Sequence, residues 1–377
     1  MFVRRRIVSA SLLAVLIVVS SLFLYAPHVG ASTLVQRGYI VINGNTGFTA
    51  ANGVIGGTGT SADPYIMSGW NVVSSSPNQV CIEIDNTTAF FTVENVSSDC
   101  PNYGGAAFAS IAFELHGVSN GMIKSSYLGG NWESGEIVSS TNVTLSNNTL
   151  PGGAGSALAI SGDVGVTLAN NQIGGNVGVV HSQRVKLSGN RISGDPMCNS
   201  PDCGSGTTLY IDHSSTVTVS NNILNGAYIE GVLVGSYSLG LQIMNNSVHC
   251  NLCYSILLTA TNDSLVQENR VSGGGVANGY SNWYQGIVLV GGSRNDQIIG
   301  NNVTLEAVGI RLSGVTVISV YHNSLLNNTI QASDDQPSLN SWDNGYPSGG
   351  NYWSDYSSAE HISIPGWYWG HSLRFQQ

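Results

Sequence analysis

From about residue 111 to residue 326 the chain repeats one pattern: apolar, any, apolar, any, any, Asn, any, apolar. It is plain in Val143-Thr144-Leu145-Ser146-Asn147-Asn148-Thr149-Leu150 and again in Val166-Thr167-Leu168-Ala169-Asn170-Asn171-Gln172-Ile173. Val185 to Ile192 and Val217 to Leu224 follow it too. The Asn position is filled by Asn148, Asn171, Asn190, Asn222, Asn246, Asn269, Asn301 and Asn323, with Ser126 before them. The steps from Ser126 onward are 22, 23, 19, 32, 24, 23, 32 and 22 residues. Alternation of apolar and polar residues means a local period of two, hence strands. A fixed repeat near 22 residues means a solenoid. Three short strands and their turns fill one such coil, whereas a leucine-rich repeat needs a different Leu spacing and a helical piece.

The pattern therefore predicts an all-β chain: a single-stranded, right-handed parallel β-helix of about ten coils with N- and C-terminal caps, its handedness set by the crossover rule. The Asn stands where the chain leaves one sheet for another. Asn tolerates the left-handed conformation and bonds nearby backbone, and equal positions in successive coils can stack as a hydrogen-bonded ladder. A second strand recurs about eleven residues earlier, with Phe113 and Leu115, Leu158 and Ile160, Leu209 and Ile211, Ile256 and Leu258, Ile310 and Leu312 inward. Alternation then turns Glu114, His116, Tyr210, Asp212 and Arg311 outward. The expected division is a leader over 1–31, a cap and first coil over 32–80, coils over 81–332 and an aromatic-rich cap over 333–377.

Residues 1–31 combine Arg4-Arg5-Arg6, an apolar run from Ile7 to Tyr25 and the small residues Val29-Gly30-Ala31. That is a signal peptide or an uncleaved anchor, and the body is expected to be secreted, at the cell surface or periplasmic. Any membrane contact is expected through this segment alone. The formal net charge is −10, with three of the twelve basic residues in the leader, so the body carries −13. A basic nucleic-acid-binding surface is excluded. Six cysteines in an exported chain point to disulfides, and their spacing pairs Cys81 with Cys100, Cys198 with Cys203 and Cys250 with Cys253. A metal site or free thiols are the alternatives. Asn-x-Ser/Thr sequons begin at Asn86, Asn95, Asn142, Asn147, Asn245, Asn262, Asn302 and Asn327, several of them inside the corner motif.

Candidate chemistry is sparse. His181 and His213 each lie nine residues before a corner Asn, in neighbouring coils, with Asp212 beside the second. Together they are a candidate metal or acid–base group, the alternative being a surface turn where two His align. The 32-residue step between Asn269 and Asn301 contains Tyr280, Trp283 and Tyr284. These rings, with Trp367 and Trp369 near the C-terminus, are candidates to stack on sugars, or else they fold onto the sheet and cap. The body has two Lys, and its Asp and Glu read as one per coil, so no catalytic constellation emerges.

The segment Asn340-Ser341-Trp342-Asp343-Asn344-Gly345-Tyr346-Pro347-Ser348-Gly349-Gly350-Asn351-Tyr352-Trp353-Ser354-Asp355-Tyr356 resembles the C-terminal signature of NosD-like parallel β-helix repeat proteins. The opening, with Asn43-Gly44-Asn45 and Gly57 to Ile66, is similar to the start of such proteins. The tail from Ser357 departs from their acidic, Gly/Asp-rich ending. The resemblance implies the fold. It also implies a periplasmic or surface setting, in which named members help mature a copper enzyme and the wider repeat family includes carbohydrate-binding proteins and sugar hydrolases.

The expected function is a non-enzymatic surface or envelope protein that binds glycans or other envelope components, or builds surface structure, without a cofactor. A polysaccharide lyase or hydrolase is the first alternative. A NosD-like copper-handling protein is the second, and copper or calcium would enter only with these alternatives.

Overall fold

The computed structural model describes residues 34–73, 80–100, 110–153, 155–194, 207–226, 231–250, 253–273 and 284–356. The leader, Cys198, Cys203, Tyr280, Trp283, Trp367 and Trp369 lie outside them. Among the described residues the chain winds into three parallel sheets of 13, 12 and 11 strands, here sheets A, B and C. Each strand pairs with its equivalents in the coils before and after. Sheet B holds the long strands, such as Ile111–His116 and Thr207–Asp212, and sheets A and C hold strands of two to four residues. The chain runs B, C, A and back to B, a right-handed parallel β-helix with a few more coils than the Asn corners alone suggest. The surplus is N-terminal: Val35–Arg37 and Ile40–Asn43 already pair with Trp70–Val72 and Val80–Asp85, inside the stretch read as a cap and first coil.

The core is the file of inward residues. Phe113, Leu115, Leu158, Leu209, Ile211, Ile256, Leu258 and Ile310 are fully buried. Burial of each such side chain contributes about 1.5–3 kcal/mol. After the first coil, whose connection from sheet B to sheet C runs over 44–64, the two corners bounding sheet C have nearly constant length because polar ladders hold them.

At the corner from sheet C to sheet A, each Asn from Asn148 to Asn323 donates its backbone N–H to the Oδ1 of the next at 2.8–3.0 Å. Its Nδ2 donates to that same Oδ1 at 2.9–3.1 Å. The second Nδ2 hydrogen goes to a carbonyl one coil back, as from Asn222 to Leu187. Asn351 accepts from Asn323 and so adds a rung that the repeat spacing did not reveal, while Ser126 extends the ladder towards Val96 at the other end. The left-handed residue is the one before each ladder Asn, such as Asn147, Asn170, Asn221 and Asn245, not the ladder Asn itself. This gives a backbone reason for Asn at several sequons.

At the corner from sheet B to sheet C a second ladder runs through hydroxyls. Ser140 accepts from Val118 N–H, Ser182 from Asp163, Ser214 from Ser182, Ser238 from Ser214, and Ser293 from Thr261, each at 3.1 Å.

The C-terminal segment closes the last coil. Trp342 and Trp353 are buried with ring centroids 5.9 Å apart. Buried Asp334 accepts from Trp342 Nε1 at 3.0 Å and from Asn340 Nδ2 at 3.1 Å. Disulfides join Cys81 to Cys100 and Cys250 to Cys253, which suits an oxidising compartment.

Candidate functional site

The corner that leaves sheet B has one slot per coil in which the backbone turns left-handed. Gly44, Asn86, Gly117, Ser139 and Gly162 fill it early, and Ala260, Gly291 and Gly314 fill it late. In the three coils between, the slot holds His181 (φ 50°), His213 (φ 46°) and Tyr237 (φ 47°). A large side chain is uncommon in this conformation, and backbone strain concentrates at functional positions. The three rings stack along the solenoid axis: His181 to His213 at 5.2 Å between centroids, and His213 to Tyr237 at 5.0 Å, each pair tilted by 24°. Tyr237 is 61% exposed. His213 Nδ1 lies 2.8 Å from Asp212 Oδ2. Asp212, Ser236 and Thr259 are register partners on the outer face of sheet B. The result is a ridge of rings flanked by a polar file.

Sequence spacing singled out His181, Asp212 and His213 but not Tyr237. Yet Tyr237 also stands nine residues before its corner Asn, Asn246, and only its residue type sets it apart from the two His. Of the aromatics proposed to stack on sugars, Tyr284 is 4% exposed. It packs inward and cannot offer a ring face to a ligand.

A second grouping lies on the outer face of sheet B in the first half of the chain. Glu83, Glu114 and Glu136 are register partners in three successive coils, and Asp85 pairs with His116. One acidic residue per coil at a constant offset becomes a column, which corrects the reading of these residues as scattered. His116 Nδ1 is 4.0 Å from Asp85. Burial, then the neighbouring Asp85, raises the Glu83 carboxyl; burial, then Glu136, raises Glu114. Glu133 is pushed up to about 7, first by burial and then by a side-chain hydrogen bond with Glu136. A protonated carboxyl beside ionised ones can donate a proton near neutral pH.

The family model described as periplasmic copper-binding protein (NosD) matches residues 174–358. The chain is a NosD-like right-handed parallel β-helix protein. Solved structures similar to this NosD-like chain include PfbA, a surface adhesin of Streptococcus pneumoniae, at 11% identity over 71% of this chain and 82% of that one, TM-score 0.51. Tailspike protein 2 of Escherichia coli O157:H7 bacteriophage CAB120 is similar at 9% identity over 71% and 38%, TM-score 0.52. The Dettilon tailspike protein is similar at 14% identity over 75% and 59%, TM-score 0.49. The chain spans less than two thirds of either tailspike. At such identities the likeness is one of fold alone. No curated protein matches the sequence.

The copper in the family's description can be tested against the residues. Copper asks for converging imidazole, thiolate or thioether ligands. Among the described residues no group of three or more His, Cys, Asp or Glu is placed to hold an ion. His181 and His213 lie face to face, with Nδ1 of His213 beside Asp212, and Cys250 and Cys253 are tied in a disulfide. The described residues do not fit a copper centre.

Proposed function

We propose that this NosD-like protein works outside the cytoplasm, at the cell surface or in the envelope, as a glycan-binding β-helix. The ridge His181–His213–Tyr237 is its contact. The observation that carries the reading is three large rings in a left-handed slot that the adjoining coils on either side fill with Gly, Ser or Ala, beside a file of hydroxyl and carboxylate groups. Sugars present an apolar ring face and a hydrogen-bonding rim, and such a ridge offers both. The same fold in a surface adhesin supports the setting. A glycan array with the purified mature chain tests it. Specific glycans are expected to bind the wild type and to be lost with Tyr237→Ala. A blank array ends the proposal.

The carboxylate column favours a second reading, acid–base cleavage of a polysaccharide with Glu133 as acid and Glu136 or Glu114 as base. Turnover that is abolished by Glu136→Gln and Glu133→Gln supports it; the absence of turnover across neutral and acidic polysaccharides removes it.

A further inference from the structure

We infer that the ridge carries a subsite for one pyranose ring, stacked on the outer face of Tyr237 in the slot above Ala260. The sugar class it takes is a neutral, β-linked, all-equatorial glucoside. This inference rests on the glycan-binding reading and adds the position, the size and the sugar class.

The stack is built by the coil rise. Equivalent residues follow at the strand spacing of about 4.8 Å, and the observed ring separations of 5.2 and 5.0 Å keep to it. After Tyr237 the stack stops. The next slot holds Ala260 and the one after it Gly291, placed there by the backbone bonds Tyr237 N–H to Thr259 O and Ala260 N–H to Val290 O. One face of Tyr237 is thus covered by His213, and the other looks over a methyl group and a glycine. A planar ligand ring seated there continues the stack as the next side chain would.

The opposite end is less suited. His181 looks over Gly162, whose flanking positions are Ser161 and Val164, one polar and one apolar. The Ala260 slot has Thr259 on the sheet side and exposed Asn262 on the other. Hydroxyl and amide groups therefore border it on both sides, matching the hydroxyl rim of a sugar, while Tyr237 supplies the apolar floor. The floor selects the sugar. A gluco-configured pyranose with β-linkage keeps its substituents equatorial and presents C–H bonds on both faces. An axial hydroxyl blocks the face it projects from, so a ring that carries one can stack in one orientation only, whereas the all-equatorial ring can stack in two. A polyuronate is disfavoured by the body's net charge of −13, which is −10 for the whole chain less the three leader arginines.

The slot tolerates a ring, as His181, His213 and Tyr237 show, so Ala260→Phe and Ala260→His fill the subsite without an unprecedented backbone demand. Binding of cellohexaose, maltohexaose and hexagalacturonate to the full mature chain would be measured by calorimetry, with folding checked by circular dichroism. Expected are binding of cellohexaose above the other two and at least a tenfold loss with Ala260→Phe, Ala260→His and Tyr237→Ala. Cellohexaose affinity unchanged by Ala260→Phe and Ala260→His, preference for hexagalacturonate, or no binding of cellohexaose overturns the inference. The glycan-binding reading itself falls only if the array is blank.

Discussion

Replacing Asn222 with Ala tests the ladder at its centre. Four hydrogen bonds disappear together. Asn222 Oδ1 no longer accepts from the backbone N–H of Asn190 at 2.8 Å or from its Nδ2 at 3.0 Å. Nδ2 no longer donates to Leu187 O or to Asn246 Oδ1, both at 3.0 Å. Asn190 and Asn222 are each 1% exposed, so water does not replace what is lost. The orphaned N–H of Asn190 alone costs about 1–3 kcal/mol, and the net loss of the remaining bonds adds to it. The expected destabilisation is about 3 kcal/mol, read from urea unfolding. Hydrogen exchange gives a local readout, because the Asn190 amide should lose protection ahead of amides several coils away. Asn142 is the control. It is exposed and left-handed, at φ 54°, so Asn142→Gly keeps the backbone conformation and should change stability by about 0.5 kcal/mol or less. The reasoning fails if Asn222→Ala costs no more than Asn142→Gly, or if protection at Asn190 is unchanged.

Other outcomes follow from single features. Glu306 is 1% exposed, Oε1 accepts from Ser255 at 2.9 Å, and burial pushes its carboxyl up from 4.5 to about 8. The unfolded chain ionises near 4.5 and the folded one near 8, so stability should fall as pH rises through that window, by about 5 kcal/mol, and then level off. Glu306→Gln should flatten that part of the stability–pH curve, and an unaltered curve refutes the assignment. Trp342→Ala should cost about 3–5 kcal/mol by opening the C-terminal cap, measured as a drop in thermal midpoint. Cys81 and Cys100 are 19 residues apart and Cys250 and Cys253 only three. Replacing the first pair by Ala should therefore cost about 3 kcal/mol and the second much less, in the same unfolding assay.

The solenoid was legible because a chemically narrow residue, Asn, recurs at a corner that accepts almost nothing else. Where the corner residue is Val96 the period is hidden, so the coils before Ser126 do not show in the Asn spacing. The hydroxyl ladder was present in the sequence as Ser140, Ser182, Ser214 and Ser238, three residues before each sheet C run, but Ser is too common to stand out. Spacing brings His181 to His213, whereas Tyr237 shares their offset but not their chemistry and is legible only by offset. Glu83, Glu114 and Glu136 escaped because a column is visible only when residues are compared at equal offsets from their corners. Tyr284 takes the inward alternative that the sequence left open, because alternation does not say which rings of an inserted loop turn inward.

The connections from sheet A to sheet B range from two residues, 131–132, to thirteen, 194–206, while those from C to A stay at two across the ladder. This corner, where the described residues form no continuous polar ladder, has absorbed most of the length variation after the first coil. A corner held by reciprocal hydrogen bonds fixes its own length, because one added residue would break two neighbours at once. The unlatched corner bears no such veto, so loops there can be lengthened, exchanged or grafted coil by coil while the spring beneath keeps its pitch. For a protein engineer this is a display rail: foreign peptides belong in the connections after Val72, Ser193 or Gly273, at intervals of whole coils.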